Sequence, residues 1–134
     1  MVAFLDTNVL VYNITRSDPE KAERCMQLLQ RLELGELELA TSELVIAEVV
    51  WILQGQTELT RGQIRDLVLP FAELPSLRVA HKQSWRRIFD FYCDRNVDFI
   101  DAYNAVWMER AGMREVYSYD HDFDRFDNTE RLEP

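Results

Sequence analysis

Four acidic residues, far apart in the chain, each stand in or at the end of an apolar run, and any fold of this chain has to provide for all of them. Asp6 follows Val2-Ala3-Phe4-Leu5. Glu48 sits inside Leu44-Val45-Ile46-Ala47-Glu48-Val49-Val50-Trp51-Ile52-Leu53. Asp101 opens Asp101-Ala102-Tyr103-Asn104-Ala105-Val106-Trp107, and Asp120 follows Val116-Tyr117-Ser118-Tyr119. A carboxylate in or beside a buried element is costly unless something cationic meets it. A divalent metal ion answers that demand with a single group.

The pattern of elements says where such carboxylates fall. Met1–Leu5 reads as a short buried strand. Ser17 or Asp18 is a cap and Pro19 a first-turn residue for a helix from about Glu20 to Glu33, which Gly35 ends. Residues 36–40 alternate as a short strand. Thr41 or Ser42 caps a helix to about Gln54, and Thr60 caps another to about Leu69, where Pro70 and Pro75 break the pattern. A strand over 77–80, helices over 84–94 and 98–111, a glycine stop at Gly112 and a strand over 115–119 follow, with a last strand near Arg131-Leu132. Strands alternating with helices predict an α/β fold, a mostly parallel central sheet covered by helices on both faces. Ligands gather at the carboxyl ends of strands in such sheets, where Asp6 and Asp120 lie.

Length and composition narrow the class. At 134 residues the chain fits a single domain, residues 1–134, able to bury its own core. Its 47% hydrophobic and 29% charged residues are those of an ordinary folded protein. No apolar run reaches the roughly 20 residues of a membrane span, and no basic leader precedes the first strand. Cys25 and Cys93 form no Cys-x-x-Cys and read as reduced core thiols, so a cytoplasmic location is expected. Trp51, Trp85 and Trp107 fall at helical spacing and read as core. The net charge is −9, with Lys21 and Lys82 the only lysines. Nucleic-acid binding through a broad basic surface is therefore excluded: either nucleic acid is not the substrate, or contact is local and metal-assisted.

Each acid has a structural reading beside the functional one. Asp6 either caps the Val9-Leu10 segment or ligates a metal, with Asn8 or Thr7 orienting it. Glu48 has only Leu44, Val45, Trp51 and Ile52 at helical neighbour positions, with no basic residue along its helix, which favours a site carboxylate over a solvated face. Asp101 pairs with Asp98 as a first-turn acid or serves the site, and Asp98 itself reads as the cap. In Asp120-His121-Asp122-Phe123-Asp124 the oxygen ligands alternate as in a calcium loop. Arg125 and Arg131 stand where that loop needs glycine and glutamate, so the calcium reading fails. Asp122 and Asp124 are the weaker candidates of this group. His81 and His121 lack a zinc spacing. All-oxygen ligation suits Mg2+ or Mn2+, whose bound water is a nucleophile and whose charge offsets that of a phosphate.

Taken in order and spacing, Phe4-Leu5-Asp6-Thr7-Asn8-Val9-Leu10, Ser42 through Leu53, Asp98-Phe99-Ile100-Asp101-Ala102 and Tyr117 through Asp124 resemble the PIN-domain ribonucleases, specifically the VapC-like toxins of toxin–antitoxin pairs. The likeness runs almost end to end. It implies a three-layer α/β/α domain, Mg2+- or Mn2+-dependent cleavage of single-stranded RNA, a homodimer and inhibition by a cognate antitoxin. By motif position Asp6, Glu48, Asp101 and Asp120 are then the catalytic and metal-binding acids, with Asn8, Ser118 and Asp124 in support. Ser118 stands where the family usually has threonine and keeps the hydroxyl. Arg86 and Arg87 are either phosphate contacts or solvated helix residues.

Two other classes compete. A haloacid-dehalogenase-like phosphatase also begins with a strand followed by aspartate, but needs Asp-x-Asp where this chain has Asn8. A catalytically silent PIN-like binding module would leave the costly acidic set without a cation to support it.

Overall fold

The computed structural model describes residues 2–134 and divides into two compact units, one running to Gln83 and the other covering Ser84–Pro134. In the first unit, strands β1 (Ala3–Phe4), β2 (Leu39–Ala40) and β3 (Leu77–Arg78) form a parallel sheet in that order. Helices α1 (Thr7–Thr15) and α2 (Pro19–Glu33) connect β1 to β2, and α3 (Glu43–Gln56) and α4 (Arg61–Ala72) connect β2 to β3. Parallel neighbours need such crossovers, because a tight turn cannot return the chain to the same end of the sheet. The core of this unit is aliphatic: Leu5, Leu10, Leu29, Leu32, Ile46, Val49, Val50, Leu53, Ile64 and Leu77 are all buried.

The second unit pairs β4 (Glu115–Tyr117) with β5 (Glu130–Leu132), also in parallel, and carries α5 (Trp85–Asp94) and α6 (Phe99–Ala111). Its core is aromatic. Trp85 stacks on Phe99 with ring planes 7° apart, and Phe89 and Tyr92 close on Phe99 from other directions. A turn of 3-10 helix at His121–Arg125 places Phe123 in the same core. The expected α/β class with parallel pairing is what forms.

Local chemistry sets most helix ends. The side chains of Asp18, Ser42 and Thr60 accept backbone N–H groups of Lys21, Val45 and Gln63, and Gln63 returns the bond to Thr60 as a full capping box. Gly112 ends α6 in the left-handed region at φ 71°, which an L side chain adopts only with strain.

Several expectations need correction. Residues 7–15 form a helix that periodicity did not suggest, because its β-branched residues and asparagine are weak helix formers. Packing against α2 and α3 holds it. The helix through Pro70 does not stop there but runs to Ala72; buried Leu69, Phe71 and Ala72 carry the proline through the last turn. The expected buried strand at 1–5 is a two-residue strand with Ala3 and Phe4 exposed, since β1 is the edge of its sheet; only Leu5 is buried, and Met1 lies outside the described residues. Trp85 is core, but Trp51 is 74% and Trp107 45% exposed. The two cysteines are free and only half-buried. No helix among the described residues is long and apolar enough to cross a membrane.

Two glycine substitutions should act with opposite sign. Gly112→Ala, at positive φ, should destabilise by about 1–2 kcal/mol. Gly55→Ala, in the last turn of α3 with open space around a new Cβ, should stabilise by about 0.5 kcal/mol. Urea unfolding of both variants reads the contrast directly.

Candidate metal centre

In the first unit, the chain is fixed tightly just before Asp6. The Leu5 N–H donates to the Ala40 carbonyl at 2.7 Å, and the buried Thr41 hydroxyl donates to the Leu5 carbonyl at 2.8 Å. Leu5 is thus held from both sides, and Asp6 emerges from the end of β1 in a defined direction. It occupies the cap position of α1 without making a cap hydrogen bond, which leaves the carboxylate uncommitted. Glu48 projects from α3, and both carboxylates line one cleft of ≈ 330 Å³ together with Asn8.

The setting of this pair differs from expectation. Asp6 and Glu48 are exposed, not desolvated. The buried face of α3 is Val45, Ile46, Val49, Val50 and Leu53, while Leu44 (79% exposed) and Trp51 lie beside Glu48 on the outer face. Of the apolar neighbours that seemed to argue for burial, Leu44 and Trp51 are themselves at the surface, while Val45 is buried. Asn8 lines the cleft beside them, with its amide making no hydrogen bond among the described residues.

The second unit gathers its acids more closely. Carboxylate oxygens of Asp98, Asp101 and Asp122 all lie within 4.8 Å of one another. Asp101 shares a side-chain hydrogen bond with Asp120. Burial first, then the bond to Asp120 and the charges of Asp120, Asp98 and Asp122, push the Asp101 carboxyl up to about 7. Asp98 stands at the cap position of α6 but makes no cap hydrogen bond, so the capping role expected of it is not performed. Its carboxylate belongs to the cluster instead.

The loop that carries Asp120 is tied down by neighbours. The Asp120 N–H donates to the Ser118 hydroxyl at 2.9 Å, and the Asp122 N–H donates to the Asp120 carboxylate at 2.9 Å. Asp124 is not part of the cluster; it pairs with Arg131 at 3.0 Å and with His121 at 3.1 Å. Arg131, whose side chain is only 12% exposed, also donates to the Ser118 carbonyl at 3.0 Å and to Glu133 at 2.9 Å. One guanidinium from β5 therefore fixes both ends of the acidic loop.

From the sequence Asp98 reads as a cap and Asp122 only as a weaker candidate, yet both belong to the cluster, and Arg131, which holds the loop, was not singled out. The available signal was an arginine in the expected last strand, seven residues after Asp124. Arg87 is engaged in a two-bond pair with Glu109, at 2.6 and 2.9 Å, which leaves it committed rather than free for phosphate.

The donor set suits a hard divalent cation. It is entirely carboxylate oxygen, and it crowds like charge in a way that a cation relieves. Arg125, 3.6 Å from Asp122, is the cation already beside the cluster.

Comparison with known proteins places the chain in a family. The family model for the PIN domain matches residues 3–128, and the chain belongs to that family. Six helices with strands paired in parallel are consistent with its three-layer α/β/α fold. The chain is also similar to the VapC ribonuclease of Aquifex aeolicus (strain VF5), at 28% identity over 119 residues, covering 89% of this chain and 87% of that protein.

The raised Asp101 value has a signed consequence in metal-free protein. The native state binds a proton that the unfolded chain, with a value of 3.8, has released, so the stability contributed by this group is present below about pH 4 and is lost as pH rises to about 7. Thermal melts of wild type and Asp101→Asn in chelator should therefore diverge over that window, the variant gaining relative to wild type, and run parallel above it. Mg2+ affinity should rise over the same window, as the ion displaces the proton.

Proposed function

We propose that this chain is a metal-dependent endoribonuclease that cleaves single-stranded RNA and serves as the toxin of a toxin–antitoxin pair. The observation that carries the reading is the Asp98, Asp101 and Asp122 cluster, with Asp120 bonded to Asp101, in a chain of the PIN domain family. The resemblance to the family points to four acidic positions: Asp6, Glu48, Asp101 and Asp120. We assign them the catalytic and metal-binding work, with Asn8 and Ser118 in support. The family match spans both compact units, which supports treating residues 1–134 as one domain.

Mg2+ or Mn2+, when bound, supplies a water of lowered pKa and a positive charge that offsets the charge growing on the phosphate. Asp101 and Asp120 would hold the ion, and Asp98 and Asp122 are placed to share that task. Their own contribution is to be ionised when the ion arrives, and Asp101 has the proton to lose. Ser118 and Arg131 keep the Asp120 loop in one conformation, so the carboxylates need no rearrangement to accept a cation.

Partners follow from charge and surface. An antitoxin segment carrying arginine or lysine would fill the acidic site with its own cation and exclude RNA. A second copy of the chain would cover apolar side chains such as Leu44 and Trp51, which supports the homodimer expectation. Location in the cytoplasm, where RNA is found, accords with both cysteines being free.

The decisive experiment is cleavage of single-stranded RNA by purified protein. Chelator should abolish it and Mg2+ or Mn2+ restore it; undiminished cleavage in excess chelator would remove the mechanism. Asp101→Asn, which keeps size and most hydrogen bonding, should abolish cleavage, leave metal-free stability equal or raised, and weaken stabilisation by added Mg2+. A purely structural Asp101 would leave cleavage and the Mg2+ response as in wild type.

A further inference from the structure

The cleft that holds Asp6 and Glu48 is larger and chemically richer than a cation needs. Beyond Asp6, Glu48 and Asn8 it is lined by Tyr12, Ser17 and Gln56 and by the aliphatic residues Val11 and Ile52. A metal recognised through carboxylate oxygen has no use for an aromatic face, and takes an amide only as one more oxygen ligand. A nucleobase has use for both: unstacked bases in single strands are held by aromatic rings and read through hydrogen bonds along their edges. The volume, ≈ 330 Å³, lies in the range of small-ligand sites.

Two further observations bear on Tyr12 and Gln56. The Lys21 ammonium lies over the Tyr12 ring, 5.2 Å from its centroid, and Lys21 is not among the residues lining the cleft. The cation–π contact steadies the ring of a tyrosine that lines the cleft. Lys21 also has no carboxylate partner among the described residues, whereas arginines such as Arg16, Arg24, Arg31 and Arg78 do. In a chain of net charge −9, an ammonium with no carboxylate partner, next to a tyrosine that lines an acidic cleft, is available to a polyanion. The Gln56 amide makes no hydrogen bond among the described residues. A neighbouring groove shares Val11, Ser17 and Gln56 with this cleft and continues to Ile14 and Leu59, so Gln56 stands where a strand would pass onward.

We propose that the Asp6/Glu48 cleft contains a nucleobase subsite, in which Tyr12 stacks a base adjoining the cleaved phosphodiester, Gln56 and Ser17 read the edge of that base, and Lys21 contacts a backbone phosphate. This rests on the ribonuclease reading above and gives that reading a source of sequence preference. The carboxylates act on a phosphodiester that is the same in every RNA. Discrimination among RNAs needs groups that touch what differs, and in this cleft those groups are Tyr12, Ser17 and Gln56.

The test is cleavage of a randomised single-stranded RNA pool in Mg2+ by wild type, Tyr12→Ala, Tyr12→Phe, Gln56→Ala and Lys21→Ala, with the cut ends sequenced and thermal melts confirming folding. Tyr12→Ala should lower kcat/KM about tenfold, the scale of base stacking, and Tyr12→Phe should recover most of that loss by restoring the ring. Gln56→Ala should flatten the base preference at one position flanking the cut by about threefold or more, the scale of one hydrogen bond. Lys21→Ala should raise KM more than it lowers kcat, and reduce the salt dependence of binding by about one phosphate contact.

Folded Tyr12→Ala and Gln56→Ala variants that both keep the wild-type rate and cleavage profile would overturn the subsite while leaving the ribonuclease reading intact. If Tyr12→Ala does not fold, Gln56→Ala decides alone. Wild type that cuts no RNA with metal would remove the ribonuclease reading and the subsite with it. Specific protection of the cleft by a basic peptide, with RNA giving none, would also overturn the subsite.

Discussion

Like charge gathered around Asp101 is the constraint on which the second unit depends. Asp98, Asp101 and Asp122 bring carboxylate oxygens within 4.8 Å of one another, and Asp120 is bonded to Asp101. Such crowding is unfavourable unless protons or cations offset it. In the metal-free chain the offsets are modest: a proton on Asp101, the Arg125 guanidinium near Asp122, and the N-terminus of α6, where Asp98 and Asp101 meet the favourable end of the helix dipole. The aromatic cluster of Trp85, Phe89, Tyr92 and Phe99 and the Arg131 network supply the stability that tolerates the rest. A site strained in this way is prepared for a cation.

Elements whose boundaries depend on nearest neighbours were legible in the sequence. Asp18, Ser42, Thr60 and Gly112 act within one turn of themselves, so their side chains or backbone freedom predict the helix ends well. Helix α1 was not legible, because its stability comes from packing on α2 and α3 rather than from its own residues. Helix α3 was legible as a helix but not as a surface. It is apolar nearly all round, so periodicity could not say that Trp51 and Leu44 face outward with Glu48. The same limit made Glu48 look buried.

The site was legible in its residue types more than in its grouping. Asp101 and Asp120 were marked by their place beside α6 and after β4, and the structure joins them. Asp98 and Asp122 each had a sufficient local explanation, as cap and as turn residue, which concealed their part in the cluster. Asp124 looked equivalent to its neighbours until its partner was known: Arg131, seven residues on, turns it into a structural anchor. Sequence spacing distinguishes these aspartates poorly because the 3-10 turn at His121–Arg125 sends successive side chains to different surroundings.

The overall charge bears on RNA through its distribution rather than its sum. At physiological salt, exposed charges are screened over roughly 8 Å, so a distant acidic surface repels a strand only weakly. Repulsion near the carboxylates is another matter, since phosphates must approach the very groups that are most negative. A bound divalent ion would change the sign of that local field as well as supply a reactive water. Binding and chemistry would then depend on the same ion, and an acidic chain with few free basic residues would engage RNA where its metal is bound and little elsewhere. If an antitoxin with a basic segment is the partner, it would act on the same local field, and one cationic side chain in the site would displace both ion and substrate.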